Sequence, residues 1–204
     1  KMTASTYYGR DMIIYGEVRS DNTSNSESTG RYVDVGRLDM VVNDEYAHDT
    51  WEIIYESIAQ ANIAIQSDVT DTTGQATYYK GQAYGLRALC YFDLMRLYST
   101  MFVSGADYGV PIVTEYDPAA QITPPARASL VETKEQIESD FQKALDMMDP
   151  ALDDPNNKDE LSSDAVHALF SRYYLYIDEY QNAMDHAQEV LNNSSFSYGY
   201  TAAP

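Results

Sequence analysis

Positive charge and cysteine are scarce in this sequence. Its 204 residues include 13 Lys and Arg against 32 Asp and Glu, which gives a formal net charge of -19 at pH 7. A chain with this charge repels polyanions, so nucleic acid and anionic membrane surfaces are excluded as partners. The single cysteine, Cys90, excludes both a disulfide framework and a zinc cluster built from several thiolates.

Long apolar runs and catalytic motifs are lacking as well. The sequence has no run of about 20 apolar residues and no signal peptide, so we expect the chain as given to be soluble. The three histidines, His48, His167 and His186, fall in no zinc-protease motif, and neither a serine-hydrolase motif nor a glycine-rich phosphate loop is present. We therefore predict a protein that is not an enzyme and that needs no cofactor.

Two features offer ligands for a metal ion, but neither pattern is complete. His186 and Glu189 lie three residues apart on a predicted helix, and two ligands without a third are typical of a surface pair. The acidic segment 149–161 contains several Asp and Asn residues but lacks the spacing and the central glycine of an EF-hand. We interpret it as a solvated turn and predict no metal site.

Tyrosine is the residue type in excess, with 19 copies in a chain that is 44% hydrophobic. The hydrophobic fraction indicates a globular protein rather than a disordered one. A tyrosine side chain combines a flat apolar face with a polar tip, so it serves helix packing and sugar stacking equally well. Composition alone leaves both uses open.

The longest helical pattern runs over residues 78–98, where apolar side chains recur at steps of three and four around most of the circumference. We predict that this helix is the centre of an all-α fold, with other helices packed around it. Arg87 lies within the apolar run. It is expected to reach a carboxylate or backbone carbonyls, because an unpaired buried charge is strongly destabilising.

Further helices are predicted on both sides of the central one. They cover residues 5–18, 49–66, 129–148 and 180–193, and one more helix begins after a cap at Ser162 or Ser163. Capping boxes mark two of the starts, Asp49 with Glu52 and Ser129 with Glu132. Residues 19–30 are predicted to form an exposed loop, and 32–42 extended structure or loop. Residues 99–128 form a proline-rich excursion, which either covers the helical core or offers Tyr108 and Tyr116 to a partner.

The last two predicted helices have the spacing of a tetratricopeptide pair. The matching positions are Phe170, Ser171 and Tyr174 on the first helix and Ala183, Ala187 and Val190 on the second. A single pair cannot bury its own apolar face, so it must stack on earlier helices. We expect the helix at 129–148 to form such an earlier pair with the central helix.

Several stretches in order carry a family resemblance. They are GEVRSDN at 16–22, WxxIYxxIxxAN at 51–62, GQAYGLRALCYFDLMRLY at 81–98, YGVPIV at 108–113, RASxxE at 127–132, IxxDFxxAL at 137–145, and the last helix pair with Tyr180 and Ala183. Together they resemble the SusD/RagB family, the surface nutrient-binding lipoproteins of Bacteroidetes-type bacteria. The order and spacing of the motifs across nearly the whole chain make this resemblance specific.

The resemblance implies a tetratricopeptide-like α-α superhelix with long irregular loop insertions. We expect one helical domain over 1–204. The sequence departs from the family in two respects, since the N-terminal lipidated cysteine and the longer C-terminal portion are not in it, and part of the ligand site is then expected outside this chain. Members of the family are not enzymes. They are lipid-anchored at the extracellular face of the outer membrane, where they capture glycans or peptides and work with a TonB-dependent, SusC-like transporter.

A sugar site needs flat aromatic faces together with polar side chains that bind hydroxyl groups. The region 21–51 supplies both in irregular segments, where binding residues concentrate. Our candidate ligand-binding residues are Asp21, Asn22, Tyr32, Tyr46, His48 and Trp51. Trp51 either forms a stacking platform or packs beneath its own helix, and loop packing is the alternative for both tyrosines. The alternative function is a tetratricopeptide-like scaffold that binds a protein or peptide partner.

Overall fold

The computed structural model describes residues 1–21, 23–26, 28–101, 103–119, 125–154, 156–157 and 159–193. Within these residues the chain forms seven α-helices, one 3₁₀ turn and no β-strand, which confirms the all-α prediction. The helices are α1 (Asp11–Glu17), α2 (Val33–Gly36), α3 (Glu45–Gln66), α4 (Gln75–Tyr98), α5 (Leu130–Met147), α6 (Ser163–Tyr176) and α7 (Tyr180–Asn192), and the 3₁₀ turn is Pro150–Leu152. No helix in this described part has the length and apolarity needed to cross a bilayer.

Contacts within the chain define two compact units, residues 1–60 and residues 61–204. The first unit contains α1, α2 and most of α3. The second contains the end of α3 and all of α4 to α7. The single helical domain over 1–204 remains a prediction.

The helix predicted over residues 5–18 is shorter in the structure, because α1 begins only at Asp11. The preceding residues form turns in which the side chain of Tyr7 is fully buried. A Cβ atom added at Gly9 would lie 2.5 Å from the carbonyl oxygen of Thr3, so this close backbone approach requires glycine. Arg10 has non-helical backbone angles and separates the turns from α1.

The start of α3 also differs from the prediction. The helix begins at Glu45 rather than near Asp49, since the side chain of Asp44 accepts a hydrogen bond from the backbone N–H of Ala47 at 2.8 Å. Asp44 therefore caps the helix, and the predicted capping box of Asp49 and Glu52 is wrong because both residues lie inside α3.

Residues 32–42 contain the short helix α2, so the prediction of extended structure or loop is wrong for its four residues. The backbone of Tyr32 is left-handed, with φ of 55°, and it directs the chain into this turn. Val35 is buried, whereas residues 36–42 are exposed. The segment is irregular beyond α2, as expected.

Within the second unit, the central position predicted for residues 78–98 is confirmed by α4, in which all nine residues of 87–95 are buried. This helix packs against α5 and α6. The close approach of α5 depends on Gly81, where an added Cβ would lie 2.5 Å from Cγ of Met148 and 3.1 Å from the carbonyl oxygen of Ala144. The expected pairing of the central helix with the helix at 129–148 is therefore confirmed.

Arg87 makes the polar contacts expected of a buried guanidinium. Its Nε and Nη2 donate to the two carboxylate oxygens of Asp140 at 2.8 and 2.7 Å, and Nη1 donates to Oδ1 of Asn62 and to the carbonyl oxygen of Thr114. Burial acts to lower the pKa of Arg87, but the hydrogen bonds and charge of Asp140 outweigh it and raise that pKa. The guanidinium thereby ties α4 to α5, to the end of α3 and to the excursion.

The proline-rich excursion, described over 99–101, 103–119 and 125–128, covers the core. Val110 is fully buried, and the hydroxyl of Tyr91 on α4 both donates to the carbonyl oxygen of Val113 and accepts from its N–H. Tyr108 and Tyr116 are exposed at its surface.

The predicted tetratricopeptide-like pair is formed by α6 and α7, which pack closely together. The hydroxyl of Ser171 donates to the carbonyl oxygen of Ala183 at 2.7 Å, and Ala183 is buried. Small side chains at both positions therefore bring the two backbones together. Of the two predicted caps of α6, the structure selects Ser162, and the capping box of Ser129 and Glu132 at α5 is confirmed.

Candidate functional site

A cleft of about 290 Å³ lies in the first unit, between the loop that follows α1 and the helix α2. Asp21, one of the candidate binding residues, is exposed and lines this cleft. Charged and polar neighbours line it as well, namely Arg19, Thr23, Asn25 and Arg37, with Val18, Val33 and Leu38 as apolar contacts. The cleft thus combines hydrogen-bonding groups of both charges with apolar surface.

Side-chain to backbone hydrogen bonds shape the loop that forms one wall of this cleft. The hydroxyls of Ser20 and Thr23 both donate to the carbonyl oxygen of Glu17 at the end of α1. The side-chain amide of Asn25 donates to the carbonyl oxygen of Arg31. These bonds fold the loop back on α1 and hold the polar lining in place.

Tyr32 and Tyr46 are brought together by the structure, but only Tyr46 is partly accessible. The two rings are stacked with centroids 4.3 Å apart. Tyr32 is only 6% exposed, and its hydroxyl donates to the buried carboxylate of Asp11. Burial, together with Asp11, raises the pKa of Tyr32 to about 12. Tyr32 therefore supports the half-buried ring of Tyr46 from beneath.

His48 and Trp51 lie one turn apart near the start of α3. The side chain of His48 is 73% exposed, with Nδ1 3.4 Å from Oδ1 of Asp49. Trp51 is half-buried and contacts Tyr55, with ring centroids 4.8 Å apart and an angle of 48° between the rings. Five residues on a helix correspond to a rotation of about 140°, so Tyr46 and Trp51 face different directions.

The structure therefore separates the candidate residues into three groups. Asp21 lines the cleft, Tyr46 rests on Tyr32, and His48 and Trp51 share one side of α3. Asn22 lies outside the described residues.

Sequence reasoning missed Tyr55 on α3 and the polar cleft residues other than Asp21, namely Arg19, Thr23, Asn25 and Arg37. The sequence could have predicted the contact of Tyr55 with Trp51, because aromatic residues at positions i and i+4 meet on a helix. Arg37 carried no such signal, since its place in the cleft depends on α2, a helix absent from the prediction.

Comparison with known proteins supports the resemblance seen in the sequence. The family model described as starch-binding and associating with outer membrane, a SusD-like family, matches residues 3–175. The SusD-like protein P38 of Formosa agariphila is 26% identical over 194 residues, which are 93% of this chain and 35% of that protein. The chain thus spans a little over a third of the length of the curated relatives it matches.

Solved structures agree with the family model. The crystal structure of a proposed sugar-binding protein from Bacteroides vulgatus has a TM-score of 0.78 and 29% identity, over 93% of this chain and 42% of that one. A SusD superfamily protein from Bacteroides thetaiotaomicron has a TM-score of 0.77 and 28% identity, over 94% of this chain and 43% of that one. Because the family model covers most of the sequence and the helical fold is shared with these structures, the chain belongs to the SusD-like family.

Proposed function

We propose that this protein is a non-catalytic subunit that binds a glycan at the cell surface. The cleft of the first unit carries the proposal, because the carboxylate of Asp21 and the guanidinium of Arg37 both line its small volume. Such groups recognise sugar hydroxyls, and the pair of Trp51 and Tyr55 supplies an aromatic surface on α3. The description of the family as starch-binding gives independent support.

Calorimetric titration against a panel of starch-derived and other soluble oligosaccharides tests this proposal. Saturable binding to one glycan class is expected. Asp21→Asn and Arg37→Gln should each weaken it about tenfold, the cost of one hydrogen bond to a charged group. Asp68→Asn, which alters an exposed carboxylate of the second unit, is the matched control and should bind normally. Equal affinity in all three variants would remove the cleft from the glycan site.

The aromatic surface on α3 has its own test. Trp51→Ala should weaken glycan binding if the pair of Trp51 and Tyr55 stacks on a sugar ring, while Tyr180→Ala, which removes an exposed tyrosine on α7, should not. Circular dichroism should show the same helical content in both variants. If they bind the glycan equally well, the α3 surface is not part of the site.

We further propose an outer-membrane location through a lipid anchor and a TonB-dependent, SusC-like transporter as partner. The family's described association with the outer membrane supports the location. Affinity purification of the full-length protein from detergent-solubilised outer membranes should recover such a transporter in stoichiometric amount. Recovery of the protein from the same membranes without a transporter would contradict the partnership.

The alternative function is a helical scaffold that binds a protein or peptide. One observation favours it, namely the exposed side chains of Tyr180, Met184 and Leu191 on α7. The scaffold function would be supported if the chain binds no glycan in the calorimetric panel and copurifies with a protein or peptide partner. The Met184→Ser variant should then lose that partner.

A further inference from the structure

The α6–α7 pair brings two histidines together that lie 19 residues apart in the sequence. Nδ1 of His167 on α6 is 2.9 Å from Nδ1 of His186 on α7, with ring centroids 5.2 Å apart. The sequence showed only the neighbouring pair of His186 and Glu189, which is too small a ligand set for a metal ion. The packing of the two helices adds His167 as a third ligand candidate.

The surroundings of the two imidazoles favour their neutral form. Both rings are half-buried, and the ring of His186 lies against Phe170 and Tyr174 at centroid distances of 4.3 and 5.6 Å. An imidazole with the ordinary histidine pKa is mostly neutral at pH 7, so each ring has an unprotonated nitrogen, which is the form that binds metal ions.

Carboxylates flank the pair on both helices. Glu189 is one turn beyond His186 on the exposed side of α7, and its negative charge acts on both imidazoles. Asp164 is one turn before His167 and accepts a hydrogen bond from the side chain of Asn193 just after α7. Asp164 therefore helps to hold the two helices together. The carboxylate of Glu189 does not lie within 4.8 Å of both imidazoles, so its exposed side chain must rotate toward them to complete a set of three ligands.

We propose that His167, His186 and Glu189 form a binding site for a divalent transition metal ion, with zinc as the best fit. Two nitrogen atoms that each lie about 2.0–2.1 Å from one zinc ion are roughly 2.9–3.4 Å apart, so a small ring rotation suffices to bind both. Two imidazoles and one carboxylate suit zinc, nickel or copper rather than calcium or magnesium. A bound ion would link α6 directly to α7.

A second histidine cluster is the natural competitor. Ligand atoms of His48, Asp49 and Glu52 lie within 4.8 Å of one another on α3. That cluster has one imidazole on a single helix, and its histidine side chain is 73% exposed. The α6–α7 site is favoured because two half-buried imidazoles are held together by helix packing, so fewer side chains must be ordered on binding.

The test is calorimetric titration of untagged, metal-free protein with zinc chloride, followed by cobalt(II) titration with visible absorption to report the coordination geometry. We expect one saturable site that raises the melting temperature, as binding to the folded state requires. His167→Gln and His186→Gln should each weaken zinc binding by about tenfold or more, and Glu189→Gln, at an exposed position, should weaken it less. His48→Gln should leave the affinity unchanged.

Two outcomes would overturn the α6–α7 site. One is the absence of saturable zinc binding by the wild-type protein. The other is loss of binding in His48→Gln together with wild-type affinity in His167→Gln and Glu189→Gln, which would place the ion on α3. Circular dichroism identifies any variant that fails to fold, and Glu189→Gln still tests the site in that case, because its side chain is not part of the core.

Discussion

Arg87 is only 3% exposed at its side chain, and Asp140, its partner, is fully buried. Removing one member of such a pair leaves an uncompensated charge in the core. We expect Arg87→Met to lower the free energy of unfolding by about 3–5 kcal/mol, measured by urea denaturation. The double variant Arg87→Met with Asp140→Leu should recover part of the loss, because it leaves no buried charge.

A surface ion pair provides the control for the stability change in Arg87→Met. Lys1 and Glu56 are joined at 2.7 Å, but their side chains are 49% and 44% exposed. Lys1→Met should change stability little, because exposed pairs contribute little in water. Equal losses in Arg87→Met and Lys1→Met would contradict the role given to the buried guanidinium.

The paired histidines should make stability depend on pH in the metal-free protein. The pKa of both His167 and His186 lies below the ordinary value of 6.5 in the folded state, with burial as the main cause. Their contribution to stability is therefore complete above pH 6.5 and is lost as the pH falls through that value toward the folded pKa. Protonation of both rings would also place two positive charges side by side, which the nearby carboxylates of Asp164 and Glu189 offset only in part.

Urea titrations of metal-free protein between about pH 7.5 and about pH 5.5 measure this effect, since the range brackets the ordinary histidine pKa. Wild-type protein should lose stability toward the acid end. The double variant His167→Gln with His186→Gln should lose less stability over the same range. All other titratable groups are common to both proteins, so the difference reports the histidine pair. If the free energy of unfolding changes with pH in the same way in both proteins, the pair does not titrate as inferred.

Local sequence patterns predicted some of these side-chain environments and not others. The contacts of Arg87 followed from one charge in a long apolar run, since burial demands a partner whatever the fold. The burial of Tyr32 could not be predicted, because it depends on Asp11, 21 residues earlier, and on the left-handed turn at Tyr32 itself. Contact between His167 and His186 likewise depends on the register of two packed helices.

At the level of elements, the contact of α4 with α5 depends on a glycine, Gly81, which has no side chain. A Cβ at Gly81 would approach Cγ of Met148 to 2.5 Å and the backbone oxygen of Ala144 to 3.1 Å, so α5 would have to move. We expect Gly81→Ala to destabilise the protein by about 1–3 kcal/mol, as overpacked cores do, despite the better helix propensity of alanine. Thermal and urea unfolding measure the change.

Gly16 provides the matched control, because it also lies in a helix but has nothing within 4 Å of an added Cβ. Gly16→Ala should be neutral or stabilising by up to about 1 kcal/mol. If Gly81→Ala were stabilising to the same extent, the close approach of α5 would not require glycine.

Helix boundaries show where local signals are sufficient and where they are not. Two capping boxes were predicted from the same spacing, and the one at Ser129 and Glu132 is formed with both of its hydrogen bonds. The box at Asp49 and Glu52 is not used, because Asp44 caps the chain earlier and the helical pattern continues through both residues. A capping signal therefore identifies a possible start, and the choice between two starts depends on the turn that precedes them.

At the scale of the whole molecule, the 32 acidic residues outnumber the 13 basic ones, and this excess of negative charge should make stability depend on salt concentration. Charges of one sign repel each other in the compact state, and the repulsion reaches across about 30 Å at 0.01 M salt but only about 8 Å at 0.15 M. We expect the melting temperature at pH 7 to rise over this range of sodium chloride. The destabilisation caused by Arg87→Met should stay nearly constant, because a pair that is 3% and 0% exposed is poorly screened. A melting temperature that stays level or falls as salt is added would mean that specific surface ion pairs outweigh the net repulsion.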